Sequence, residues 1–368
     1  MRRTFWTAIT AFLLALPAIP QQTEPPKQQA EPAKPQQAET PKPQDALPSI
    51  RVQVNEVELP VTVTDDKGRF VSNLTARDFR VLDEGRPQRI SFFSHDEKQP
   101  IVAGFLVDMS NSTKIHWTKY QDAIMELIWA LLPGDPQYTG YLISYSSEAE
   151  LLVNTTSDSE KRVSAVRRMR PGGGAALFDA IYRACTDRKL VPGEPYQPRR
   201  IIIVVGDGHD SASKKSMEEV LELAKRNMVS IYAVSTMSFG FDNIDQDVLE
   251  KLAHETGGHV EYPLNNLYKD VSGYLSHPSD EGNYALTVGT GGYAAEISAG
   301  IIKAVGGIVG EVTTQYVLRY RPDIDPEAKQ RVFRRIKVEL PELPNARVSY
   351  RDGYYPNGVP GAVTPGGN

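Results

Sequence analysis

Cysteine is nearly absent: Cys185 is the single one in 368 residues. No internal disulfide can form, so stability must come from packing rather than covalent staples. No cysteine stands near the N-terminus to carry lipid either. Positive charge is not in excess. Lys and Arg number 41 against 46 Asp and Glu, leaving a formal net charge of −5 and a pI near 5.8. That balance gives no general basic footprint for nucleic acid. The basic pairs Arg167-Arg168 and Arg334-Arg335 fall on predicted helix or strand and read as solvated faces.

A long apolar run is missing as well. The stretch at residues 5–19 is too short to span a bilayer, which takes about 20 apolar residues. It follows a short positive head, Met1-Arg2-Arg3, and runs through small residues at Ala15 and Ala18. Residues 1–20 therefore read as a signal peptide. The expectation is an extracytoplasmic protein, periplasmic, cell-surface or secreted, with no membrane span in the mature chain.

Several catalytic and metal patterns are incomplete. Gly172-Gly173-Gly174 lacks the lysine of a phosphate-binding loop, so it reads as a flexible turn before a helix. His254 and His259 stand five residues apart, which does not put two imidazoles on one helical face for zinc. A helix ending at Gly257 explains them better. Asp242, Asp245 and Asp247 lack the turn glycine and final glutamate of a calcium loop and suit helix capping before Val248. Cys185 shares a predicted helix face with Leu177 and Ile181 and reads as a buried structural thiol. No nucleophile–base set can be picked out.

What is present falls into blocks. Residues 21–47 are Pro, Gln, Glu, Lys and Ala with few large apolar groups, a composition that cannot offset its own ordering entropy. The prolines bias it toward extended forms, so it reads as a tether. Residues 48–98 carry short alternating strands with turns at Asp65-Asp66-Lys67-Gly68 and Asp83-Glu84-Gly85, an antiparallel β block. Residues 315–356 are again strand-like, and 357–368 form a tail. A β unit of about 50 residues is marginal alone. The two flanks are expected to pack together as a small sandwich with the middle region inserted between them.

The middle, 99–314, alternates. Apolar runs at 101–107, 141–144, 201–205 and 230–234 are separated by amphipathic stretches at 119–132, 177–189, 217–227 and 247–255. Such alternation predicts an α/β fold with a mainly parallel sheet covered on both faces. The stretch 294–312 reads as a packed terminal helix rich in small residues, and 272–292 as a loop insertion. Ligands of such sheets bind beyond the carboxyl ends of the strands, where strand order reverses. Two of the predicted strands end in polar loops, Asp108-Met109-Ser110-Asn111-Ser112 and Gly206-Asp207-Gly208-His209-Asp210. A carboxylate and two hydroxyls at alternate positions suit a hard divalent cation. The plainer alternative is a helix N-cap, since Asp and Ser both cap well; the metal reading is placed above it.

Those residues resemble the von Willebrand factor type A domain, over about 100–270 and the helix near 295–315. The flanks are similar to those of secreted von Willebrand A-related proteins of acidobacteria. The block from Pro60-Val61-Thr62-Val63-Thr64 through Asp78-Phe79 to Phe93 carries that likeness, as does the tail from Gln315 to Tyr355. The resemblance implies a Rossmann-like, doubly wound domain with a metal-ion-dependent adhesion site. It would place Asp108, Ser110, Ser112 and Asp207 around Mg2+ or Mn2+. The family's threonine falls at Ala175, so one oxygen ligand is missing and the ion is expected to bind more weakly. Asn111, Gly173, Gly174, His209 and Asp210 would form the face that meets a protein ligand. The implied role is non-enzymatic binding or adhesion. A metal-independent scaffold is the alternative, and a metal-assisted hydrolase ranks last for want of a base beside the ion.

Overall fold

The computed structural model describes residues 56–95, 99–114, 117–190, 198–236, 244–263, 290–323 and 332–356. The expected signal peptide, tether and tail, residue Asp242 and most of the 272–292 stretch lie outside the described residues.

Strand β5 (Ile101–Asp108) is buried along its whole length, which requires cover on both faces. It lies inside a six-stranded sheet with β6 (Tyr138–Tyr145), β7 (Ala149–Thr156), β8 (Arg199–Gly206), β9 (Val229–Ser235) and β10 (Val260–Glu261). The spatial order is β10-β9-β8-β5-β6-β7, and only β7 runs antiparallel to its neighbour. Side-chain alternation sends Ile101, Ala103, Phe105 and Val107 to one face. There they meet α1 (Trp117–Leu131), α2 (Ser159–Arg168) and α6 (Thr290–Thr314). Val102 and Leu106 face α3 (Leu177–Thr186), α4 (Met217–Arg226) and α5 (Ile244–Thr256). The result is the doubly wound α/β fold the alternation predicts. Phe105 is fully buried, and truncating such a residue to alanine costs about 3–5 kcal/mol.

Local chemistry starts and stops these helices. Ser216 and Glu219 bond reciprocally to close a capping box on α4, and Asp158 accepts the Lys161 N–H at the head of α2. Helix α5 ends at Thr256, and Gly257 follows in the left-handed region at φ 83°. His254 and His259 then go to separate partners: His254 pairs with Asp352, whereas His259 lies between Glu261 and Glu311. Cys185 is half-buried beside the second core, and burial pushes its thiol up to about 12.

The flanking strands form two further antiparallel sheets. The first has the order β13-β1-β11-β4, built from β1 (Val57–Thr64), β4 (Ile90–Ser94), β11 (Tyr316–Tyr320) and β13 (Arg347–Ser349). The second, β14-β12-β2-β3, uses β2 (Arg80–Asp83), β3 (Arg86–Gln88), β12 (Arg334–Glu339) and β14 (Gly353–Tyr354). In both, strands from before the α/β region pair with strands from after it. The β2–β3 hairpin turns at Glu84 (φ 50°) and Gly85 (φ 76°), the two successive positive φ values of a tight hairpin turn. Val57, Leu59, Val61, Val81, Leu318, Ile336 and Val338 fill the core between the sheets. Asp83 is buried there and fully bonded. It accepts from Tyr320 Oη at 3.0 Å, Tyr354 Oη at 2.8 Å and Arg334 Nε at 2.8 Å.

Candidate functional site

In the six-stranded sheet, β5 is the first strand in sequence and lies between β6 and β8, so strand order reverses beside it. A crevice is expected beyond its carboxyl end. Asp108 is the last residue of β5, and Asp207 directly follows the last residue of β8. Three loops meet there through backbone bonds. Gly172 N donates to Met109 O at 2.6 Å, Asn111 N to Gly173 O at 3.2 Å, and Ser211 N to Ala175 O at 2.8 Å. The segments carrying Asp108, Ala175 and Asp207 are thus stitched into one surface, as the sequence suggested.

Asp108 is 1% exposed. Its Oδ1 accepts the Ser110 N–H at 2.7 Å, which turns the chain sharply out of the strand. Its Oδ2 is buried and makes no hydrogen bond. Burial, and then the nearby Asp207 charge, push the Asp108 carboxyl up to about 7. The N–H groups of Ser110 and Asp207 and the Ser110 hydroxyl pull it back, without closing a bond to Oδ2. Ser110 Oγ lies 2.8 Å from Ser112 Oγ. The Asp207 carboxylate accepts the His209 N–H at 3.0 Å and is partly exposed.

Ala175 is 1% exposed, and its methyl belongs to the apolar cluster under the crevice. Its position is pinned by its N–H, which donates to Ser211 Oγ at 3.1 Å. It adds no side-chain oxygen. Asn111, Gly173 and His209 are exposed on the surface, and Gly174 is half-buried against Ser147 and Ser211. Asp210 is engaged internally: it accepts from Phe178 N at 2.9 Å and from Ser213 Oγ at 2.6 Å, tying the loop to the head of α3. The His209 ring sits 3.3 Å from Asp245 of α5, a contact that sequence reading had no means to find. Among the described residues, no group of three His, Cys, Asp or Glu side chains gathers to hold a metal. Any cation here would take two carboxylates and two hydroxyls, an all-oxygen donor set that suits Mg2+ or Mn2+. The unbonded Asp108 Oδ2 fits that role.

A family model for the von Willebrand factor type A domain matches residues 104–269. The chain contains a von Willebrand factor type A domain. No curated protein matches the chain. Among solved structures, a von Willebrand factor type A protein from Catenulispora acidiphila aligns at 10% identity and TM-score 0.41, covering 73% of this chain and 74% of that one. Proximal thread matrix protein 1 from the mussel byssus, in a form with a zinc-occupied MIDAS motif, aligns at 16% identity and TM-score 0.39. That match covers 46% of this chain and 43% of the byssus protein. The conserved hypothetical protein BatB of Bacteroides thetaiotaomicron aligns at 18% identity and TM-score 0.37, covering 48% and 97%. Domains of this type commonly mediate protein–protein interaction. Among the described residues, no helix is long and apolar enough to cross a membrane.

Proposed function

We propose that this chain is an exported, non-enzymatic binding protein that captures a protein partner on the crevice face of its A domain. A divalent ion held by Asp108, Ser110, Ser112 and Asp207 takes part in the recognition. One observation carries the reading: Asp108 Oδ2 is buried and unbonded at the strand-order reversal, beside a second carboxylate and two facing hydroxyls. An unpaired buried carboxylate oxygen is costly unless something outside the chain completes it. Bound Mg2+ or Mn2+ would neutralise the carboxylates and offer a coordination position to a carboxylate from the partner.

Binding rather than catalysis follows from what the hydroxyls face. Ser110 Oγ bonds Ser112 Oγ, and the neighbouring imidazole, His209, is directed to Asp245 instead. Among the described residues, no imidazole is bonded to either serine hydroxyl to activate it. The extracytoplasmic location rests on residues 1–20 alone.

Calorimetric titration with Mg2+ and Mn2+, paired with capture from envelope extract with and without chelator, tests the reading. Heat on titration and chelator-sensitive capture are expected. Capture that survives chelation, with no heat on titration, would instead favour a metal-independent scaffold.

A further inference from the structure

Directly beside Asp108 on the neighbouring strand stands Tyr145, its register partner in the β5–β6 pairing. Residues 141, 143 and 145 of β6 and 102 and 106 of β5 share one sheet face, and alternation puts Asp108 on it too. On the other side, Gly206 ends β8. A side chain at Gly206 would run into the Tyr145 hydroxyl and would begin 2.9 Å from Asp108 Cβ and 3.2 Å from Asp108 Oδ2. The phenol therefore crosses the end of β5, and its hydroxyl and Asp108 Oδ2 both lie against the bare Cα of Gly206.

Both of those oxygens are buried, and neither has a hydrogen-bond partner. Other buried tyrosines behave differently. Tyr320 and Tyr354 donate to Asp83, Tyr120 donates to Ser235 O, and Tyr232 accepts from Gln315. Among the described residues, Tyr145 is the tyrosine whose buried hydroxyl is left unbonded. Phenylalanine would fill the same apolar space without burying an unmatched hydroxyl, so packing alone does not explain the oxygen. In the same cluster, Ala175 brings only a methyl where the family's threonine would bring a hydroxyl.

We infer that Tyr145 is a positioning residue of the ion site, its hydroxyl, unbonded in the ion-free chain, closing on Asp108 Oδ2 when the ion is bound. This rests on the ion-binding reading above and adds to it a residue below the four ligands. Outer groups that orient metal-binding carboxylates govern affinity strongly, typically tenfold to a hundredfold. A phenol suits the task because it stays neutral.

The test is Tyr145→Phe in the full chain, with Tyr141→Phe as a control on the same strand. Calorimetry with MnCl2, thermal melting of the ion-free protein and the near-ultraviolet tyrosine difference spectrum on ion addition are compared. The expected result is Mn2+ affinity weakened by about tenfold to a hundredfold in Tyr145→Phe, with an ion-free Tm that is unchanged or higher. The tyrosine difference signal should vanish in that variant and persist in Tyr141→Phe. A purely structural role would instead lower the ion-free Tm and leave affinity alone, and that outcome overturns the inference. Equal Mn2+ affinity in Tyr145→Phe and the unaltered chain sinks it while leaving the ion site standing. Absence of ion binding by the unaltered chain sinks both.

Discussion

Two buried aspartates stand at opposite poles of one chemistry. Asp83, in the sandwich, accepts bonds from two tyrosine hydroxyls and the Arg334 guanidinium, so both its oxygens are matched. Asp108, at the end of β5, has a tyrosine beside it too, yet one oxygen of each is unbonded. The first pattern closes on itself and has nothing left to offer a ligand. The second is incomplete in a way that something from outside can complete. Burial and residue type are shared, and the difference lies in satisfaction.

Removing each carboxylate should separate the two roles most sharply. Asp83→Ala leaves the guanidinium and two phenols without their acceptor, and losing one partner of a buried pair costs about 3–5 kcal/mol. Asp108→Ala removes a group already short of partners, so the ion-free protein should change by no more than about 1 kcal/mol. Urea unfolding of both variants without added ion decides it. Equal losses would erase the distinction.

The next effect concerns the ion. At a concentration about a hundredfold above its dissociation constant, a ligand that binds only the folded state adds about 2.7 kcal/mol. Mn2+ should therefore raise the Tm of the unaltered chain and leave that of Asp108→Ala where it was, whereas Asp83→Asn, if folded, should still respond. A shift of similar size in Asp108→Ala would place the ion elsewhere.

The sandwich carboxylate was invisible in the sequence, and the crevice carboxylate was not. Asp108 ends a run of apolar residues and is followed by hydroxyls at alternate positions, so its whole pattern is local. Asp83 takes its partners from positions 237 and 271 residues away, which no local pattern encodes. The same distinction explains the elements. Strand β5 was legible because all eight residues are buried, and α4 because its amphipathic stretch, 217–227, stands out between two apolar runs. Strand β7 was missed: it is an edge strand, partly exposed along its length, with Asn154 and Thr155 breaking the apolar run. Helix α2 is polar apart from Val163, Ala165 and Val166, too narrow a stripe to read. Tyr145 was passed over because a tyrosine ending an apolar strand reads as core; only its unmatched hydroxyl sets it apart.

A smaller effect is expected at Ala175, which brings a methyl and no oxygen to the crevice. Ala175→Thr should return an oxygen to the site and tighten Mn2+ binding by about tenfold, or about 1.4 kcal/mol. The new atoms enter a closed apolar cluster, so ion-free stability should fall, by about 1–3 kcal/mol if the cluster yields little. Calorimetry and melting read the two separately. Unchanged affinity would mean that this loop, although stitched to the Asp108 loop, does not face the ion.

The smallest effect splits the proposed partner face itself. Asp210 and His209 are adjacent in sequence, yet Asp210 bonds the Phe178 N–H and Ser213, whereas the His209 ring is exposed. Asp210→Ala should cost about 1 kcal/mol of stability, the usual loss when a helix-capping carboxylate is removed. His209→Ala and Asn111→Ala should stay within about 0.5 kcal/mol, as exposed substitutions do. Partner capture should rank them the other way, with His209→Ala and Asn111→Ala weakening it at full stability. If only Asp210→Ala weakens capture, and does so in proportion to its lost stability, then the exposed residues are not contacts. The partner would then meet another surface, and the unmatched Asp108 oxygen would have to be explained without it.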